Sequence, residues 1–148
     1  MERDILAYNR RARFDYEILD SFEAGIELLG FEVKSAKLGR INLIGSYAKV
    51  LSGELWLINA DIQPFQPKNA PENYDPTRSR RLLINKAELR KLLGKLEQER
   101  LTLVPLRAIT KRNLIKIELG LGKSRKKVDK REVIKTREAF KEMRRAKK

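Results

Sequence analysis

The chain contains no cysteine and no histidine. The first absence removes disulfides and thiolate metal sites. The two together exclude Ser-His-Asp triads, cysteine nucleophiles, zinc clusters and imidazole bases. Catalysis by carboxylate, lysine or tyrosine stays formally open. Asp61, Glu72 and Asp75 nonetheless show none of the close pairing that acid–base work needs. No catalytic residue, metal site or cofactor is therefore expected. No run of about 18 apolar residues occurs, so no membrane-spanning helix is expected. The opening MERDILAYNRRARF lacks the apolar stretch of a secretory signal, which argues for a cytoplasmic protein. Gly120-Leu121-Gly122 lacks phosphate-loop spacing and reads as a hinge.

Positive charge is what the chain has in excess. Among its 148 residues, 34 Lys and Arg stand against 20 Asp and Glu, a net +14. From Lys123 to Lys148 there are 13 basic and 4 acidic residues, so +9 of that total sits in the last 26 positions. This stretch has no Gly or Pro and too few apolar residues for a core. Val133, Thr136, Phe140 and Met143 share one helical face. So charged a helix is marginal in water, and we expect coil alone and helix once a polyanion neutralises it. The division is a barrel over 1–122 and a basic tail over 123–148. Nucleic acid is the partner such a charge balance suits; an anionic membrane surface is the competing reading.

The body reads as short strands around two helices. Asp15–Leu19 and Phe22–Leu29 give one bent strand or two, with Gly25 at a bulge or bend. Gly30–Leu38 is a short helix stopped by Gly39. Leu43–Leu51 and Glu54–Ala60 form a hairpin across Ser52-Gly53. Residues 63–81 are a long loop carrying Pro64, Pro67, Pro71 and Pro76. Asn85–Glu99 is the clearest helix. Asn85 and Glu88 suit a capping box, Ile84 and Leu89 a staple, and Leu89, Leu92, Leu93 and Leu96 one apolar stripe. Leu101–Ile109 and Leu114–Leu119 are a final hairpin, with Pro105 at an edge or bulge. This order fits a mainly β fold: a small antiparallel barrel of the oligonucleotide-binding (OB) type with one long helix.

Several residues could serve RNA, and each has a plainer reading. Arg10, Arg11 and Arg13, beside Asn9, are a phosphate clamp or a solvated arm. Glu32 and Lys34 on the short helix read first as exposed surface charges. Arg78, Arg80 and Arg81 close the proline-rich loop, where guanidinium forks suit phosphates. Phe14, Tyr16, Tyr47 and Trp56 are stacking platforms or core; Trp56 reads as core.

The chain resembles the SmpB family, the bacterial small protein B partners of transfer-messenger RNA. The resemblance runs collinearly through N-R-R-A-R (Asn9–Arg13), F-E-A-G-I (Phe22–Ile26), G-x-E-V-K-S (Gly30–Ser35), G-S-Y-A (Gly45–Ala48), D-P-T-R-x-R-R-L-L (Asp75–Leu83), L-T-L-V-P-L (Leu101–Leu106) and V-D-K-R (Val128–Arg131). It implies a non-enzymatic adaptor whose OB-like barrel holds the tRNA-like domain of that RNA. Delivery with elongation factor Tu to stalled ribosomes is implied too, the tail becoming helical in the empty mRNA channel beyond the decoding centre. Asn9, Arg11, Glu32, Lys34, Ser35, Asn42, Arg78 and Arg80 fall on motif positions of the implied RNA face. Asp129, Lys130 and Arg131 fall on the tail motif, amid Lys123, Arg125, Lys126 and Lys127. Phe14 and Val128 replace residues common in relatives, and Ser124-Arg125-Lys126 replaces a G-K-K. A structural ribosomal protein or general RNA chaperone is the alternative class; a small carboxylate- or lysine-based hydrolase has only its acidic residues for support.

Overall fold

The computed structural model describes residues 4–66, 70–125 and 137. In chain order the elements are β1 (Asp4–Tyr8), α1 (Ala12–Asp15), β2 (Tyr16–Ile26), α2 (Gly30–Lys37), β3 (Ile41–Asn42), β4 (Tyr47–Leu51), β5 (Glu54–Ile58), β6 (Asp61–Ile62), β7 (Arg80–Leu83), α3 (Lys86–Glu99), β8 (Thr102–Lys111) and β9 (Leu114–Ser124). All strand pairings are antiparallel. The main sheet runs β1-β8-β4-β5-β7-β2-β9, and β9 returns to pair with β8. That last pairing closes β8-β4-β5-β7-β2-β9 into a barrel, to which β1 is added alongside β8. The expected OB-like barrel with one long helix is what forms.

Two long strands make the closure. β8 offers one edge to β9 and shares the other between β4 (Ala48 opposite Leu103) and β1 (Tyr8 opposite Arg107). β2 follows β9 for most of its length and meets β7 only at Gly25 and Ile26. Gly25 thus marks where one strand serves two neighbours. The bulge in β2 lies earlier, between Ile18 and Asp20. Pro105 sits at a bulge in β8, where a missing N–H costs least.

Alternation sets the core. Leu55, Leu57, Leu82, Ile115, Ile117 and Leu119 point inward and are buried. The stripe of α3 joins them through Leu92, with Leu89 and Leu96 packed beside it. Asn85 Oδ1 accepts the Glu88 N–H at 2.8 Å, and Arg100 ends the helix in a left-handed conformation. Trp56 corrects one expectation. With Leu55 and Leu57 turned inward, the pleat sends it outward between Lys49 and Arg81, and it is only half-buried.

The chain before β2 is more ordered than its composition implies. Residues 4–8 pair antiparallel with β8 and residues 12–15 make one helical turn. Gly120 and Gly122 are another correction. They lie buried inside β9, which continues to Ser124, so they form no hinge. A Cβ on Gly122 would stand 2.9 Å from Tyr16 Cβ, and one on Gly120 would stand 3.0 Å from Ile18 Cγ2. Close packing of β2 on β9 is their reason. The expected tail beyond Arg125 lies outside the described residues, apart from Arg137.

Gly122→Ala should therefore cost about 1–3 kcal/mol through overpacking. Gly94→Ala, on α3 with open space around it, should instead gain roughly 0.5–1 kcal/mol from helix propensity. Urea unfolding of both variants checks the contrast; a neutral Gly122→Ala contradicts it.

Candidate nucleic-acid interface

The D-P-T-R segment folds as a tight turn. Asp75 Oδ1 accepts from Thr77 N and Thr77 Oγ1, each at 2.9 Å, and Arg78 N–H reaches Asp75 O at 3.1 Å. The turn delivers Arg78 and Arg80 to one carboxylate, Glu32 of α2. Arg78 donates to it through Nε at 3.2 Å and through a shorter Nη2 contact. Arg80 Nε donates at 2.8 Å. Glu32 Oε1 also accepts the Leu29 N–H at 2.8 Å, which caps α2.

Arg80 and Glu32 are both 0% exposed. Arg80 spends its other donors on the carbonyls of Ala60 (2.6 Å) and Pro76 (2.8 Å) and on the Tyr74 hydroxyl (3.0 Å). That hydroxyl stands 2.9 Å from Glu32 Oε2 and 2.7 Å from Ile62 O, so its single proton serves one at a time. Phe31 meets the Tyr74 ring edge-on at 4.7 Å. One carboxylate thus ties α2 to the proline-rich loop and to β7.

Burial alone pushes the Glu32 carboxyl up. Hydrogen bonds from Arg78, Leu29 and Arg80, with the Arg80 charge, outweigh it and leave the group below its ordinary value. Burial, then the neighbouring carboxylate, pushes the Tyr74 hydroxyl up to about 12, so it stays neutral.

Above this buried network lies an exposed cationic surface. Lys34 and Lys37 project from α2, and Arg40 follows it. Lys34 Nζ sits 5.7 Å from the centroid of the Phe65 ring. Arg40 Nη1 holds the Phe65 carbonyl at 3.2 Å, which fixes the described end of the loop beside the helix. The Phe65 ring thus lies beside Lys34 and its carbonyl beside Arg40, while Lys37 and the partly exposed Arg78 carry further positive charge on α2 and its loop. Such a surface can grip phosphates and stack a base.

The expected site residues divide into groups. Glu32, Lys34, Ser35, Asn42, Arg78 and Arg80 gather around α2 and its loop. Glu32, Ser35 and Arg80 are buried, which replaces the reading of Glu32 as a surface charge. Asn42 is exposed and its Oδ1 accepts the Ile44 N–H at 2.9 Å. Arg81 does not join its neighbours. It lies on the outer face of β7, 3.2 Å from Glu54 and 3.7 Å from Glu27, because strand alternation turns it away from Arg80. Asn9, Arg11 and Arg13 form a second group. Asn9 Nδ2 donates to Pro105 O at 2.9 Å, and Arg11 pairs with Asp15 at 3.4 Å while lying 5.2 Å from the Phe14 ring centre. Lys123 is exposed on β9, opposite Glu17. Arg125 donates its N–H to Asp15 O at 2.9 Å and its Nε to Arg13 O at 3.1 Å. Lys126, Lys127, Asp129, Lys130 and Arg131 lie outside the described residues. Tyr74, Phe65 and Arg40 escape a reading of the sequence. Tyr74 is 42 residues from Glu32, and no local spacing announces that contact.

A closed OB-like barrel with a cationic, aromatic-bearing face defines a nucleic-acid-binding class of protein. Comparison with known proteins narrows it. The family model described as SmpB protein matches residues 6–148. The chain belongs to the SmpB family. It is 50% identical over 142 residues to the SsrA-binding protein of Synechococcus elongatus, covering 96% of this chain and 92% of that one. The SsrA-binding protein of Nostoc sp. is 49% identical over the same length and coverage. A solved chain described under "tmRNA-SmpB: a journey to the center of the bacterial ribosome" matches with a TM-score of 0.66 and 50% identity, over 82% of this chain and 85% of that one.

Glu32→Gln removes the charge that offsets two guanidiniums, one of them wholly buried. It should cost about 3–5 kcal/mol, read by denaturant unfolding at neutral pH. The wild-type contribution is fully present above pH 4.5, the ordinary value. It is lost as pH falls through the lower folded value, because the unfolded chain binds the proton first. The difference between the two proteins should shrink through that acid window. Ser35 Oγ is buried with no hydrogen-bond partner among the described residues. Ser35→Ala should change stability by less than about 1 kcal/mol.

Proposed function

We propose that this chain binds the tRNA-like domain of transfer-messenger RNA and brings it to stalled ribosomes for trans-translation. Half identity along nearly the whole chain to SsrA-binding proteins carries this reading. The geometry gives it a mechanism. Lys34, Lys37, Arg40 and Arg78 supply charge to phosphates, Asn42 a polar contact, and Phe65 a ring for an unstacked base. Glu32, Ser35 and Arg80 act from beneath, positioning α2 and the loop. Their place on motif positions reflects support of the RNA face rather than contact with it. The Asn9–Arg13 group offers a second set of contacts.

In this reading the protein performs no chemistry. Charged transfer-messenger RNA arrives with elongation factor Tu, and the tail, with Asp129, Lys130 and Arg131, occupies the empty mRNA channel beyond the decoding centre. The place of work is the cytoplasmic ribosome. No described helix is long and apolar enough to cross a membrane.

Because β9 runs to Ser124 and Arg125 is fastened to α1, a truncation that spares both falls after Arg125. Truncation after Arg125 should leave affinity for the tRNA-like domain within about threefold and abolish peptide tagging in a reconstituted translation assay. Loss of RNA binding on truncation would overturn this division of labour. Lys34→Ala should weaken binding several-fold and flatten the plot of log affinity against log salt by roughly 0.7–0.9 for each phosphate that is no longer neutralised.

A further inference from the structure

The proline-rich loop leaves β6 at Ile62 and returns toward β7 through Tyr74 and Pro76. Its outgoing half carries Phe65, and its returning half carries groups bound to Glu32. Antiparallel pairing sets what joins the two. Across the β3–β6 pair, the Gln63 N–H reaches Arg40 O at 3.4 Å. In such a ladder, successive residues turn their peptide groups to opposite edges. Ile62 therefore points its N–H and C=O away from β3. Both meet the returning half. The N–H donates to Pro76 O at 3.0 Å, and the C=O accepts from the Tyr74 hydroxyl at 2.7 Å. Ile62 is 0% exposed, so water cannot replace either bond.

The Tyr74 hydroxyl has one proton and two acceptors in reach. Glu32 Oε2, at 2.9 Å, already accepts from Arg80 Nε at 2.8 Å and from Arg78 Nε at 3.2 Å. Arg80 Nη2 donates to the hydroxyl oxygen at 3.0 Å, which leaves the hydroxyl its own proton to give. Ile62 O is the nearer acceptor and receives it. The Tyr74 ring is fixed edge-on against Phe31. Hydrogen bonds thus run from the buried Arg80 through Tyr74 to Ile62. Three residues further on stands Phe65, with its carbonyl on Arg40 and its ring beside Lys34.

We propose that Tyr74 is a positioning residue for the RNA face: its hydroxyl stitches the outgoing half of the loop to the Glu32 knot and so sets the Phe65 ring beside Lys34. It acts through Phe65 and makes no RNA contact of its own. This role rests on the proposed RNA reading of the face over α2. Removing the hydroxyl takes away the placement of a ring and no charge. Base stacking should therefore suffer while phosphate contacts persist.

The test uses the full chain with ¹³C-labelled lysine, free and titrated with the tRNA-like domain. Phe65→Leu defines the Lys34 side-chain signal without the ring current of Phe65. In the free protein, Tyr74→Phe should move that signal most of the way to the same position. It should weaken RNA binding about three- to tenfold, a part of what one stacked base contributes. The slope of log affinity against log salt should keep its wild-type value, since no phosphate contact is lost. Beside Phe65→Leu, Tyr74→Phe should add less than about twofold, because both act through one ring. p-Aminophenylalanine at position 74 keeps a donor in place and should restore both the signal and the affinity, which a role in packing alone would not require. A wild-type Lys34 signal in Tyr74→Phe, or a loss of affinity that persists in full beside Phe65→Leu, overturns the proposal. If Lys34→Ala and Phe65→Leu leave RNA affinity unchanged, the RNA reading of the face falls and takes this role with it. If those two weaken binding and Tyr74→Phe does not, only the role of Tyr74 falls.

Discussion

A buried carboxylate holding two arginines is the interaction on which the proposed RNA surface depends. Tyr74 and Arg80 lie 42 and 48 positions from Glu32 in the chain, yet the three meet in one hydrogen-bonded knot. Two ions out of water are costly, and the cost is met here because nearly every donor has a partner. Tyr74 and Arg78 tie residues 70–81 of the proline-rich loop to α2. The knot gives up burial-driven stability for a fixed geometry, and the exposed lysines above it inherit that geometry.

The rest of the barrel serves to bring these parts together. β7 must lie between β5 and β2 for Arg80 to reach beneath α2. That order requires β2 to bend from β9 to β7 at Gly25, and it requires β9 to press close on β2 at Gly120 and Gly122. Phosphate binding is long-ranged and tolerant of small shifts, whereas stacking on Phe65 is not. A rigid support beneath a cationic face combines both demands, and an RNA of fixed shape is the partner that benefits.

Much of this is legible in the residues. The cap at Asn85, the leucine stripe of α3, the hairpins and the bulge at Pro105 follow from local rules that need no tertiary knowledge. The short strands β3 and β6 are not legible, because two-residue pairings leave no periodic trace. Trp56 misleads because an aromatic among leucines reads as core, while the pleat places the leucines inside and the indole out. Glycines 120 and 122 resemble a hinge because only the facing Ile18 and Tyr16 side chains reveal why they lack a Cβ. At the site, family motifs locate Glu32, Ser35 and Arg80, but their burial is a property of the assembled fold. Charge on a short helix says nothing of whether it faces water.

On the proposed function, RNA meets the face over α2 while the buried knot stays out of contact. Hydroxyl-radical footprinting of the full chain, with and without the tRNA-like domain, tests it most directly by mass spectrometry of each side chain. Strong protection of Phe65 and of the α2 segment is expected on binding, with Trp56 and Tyr47 on the outer face of the β4–β5 hairpin unchanged. Protection of Trp56 and Tyr47 with Phe65 as reactive as in the free protein would contradict it.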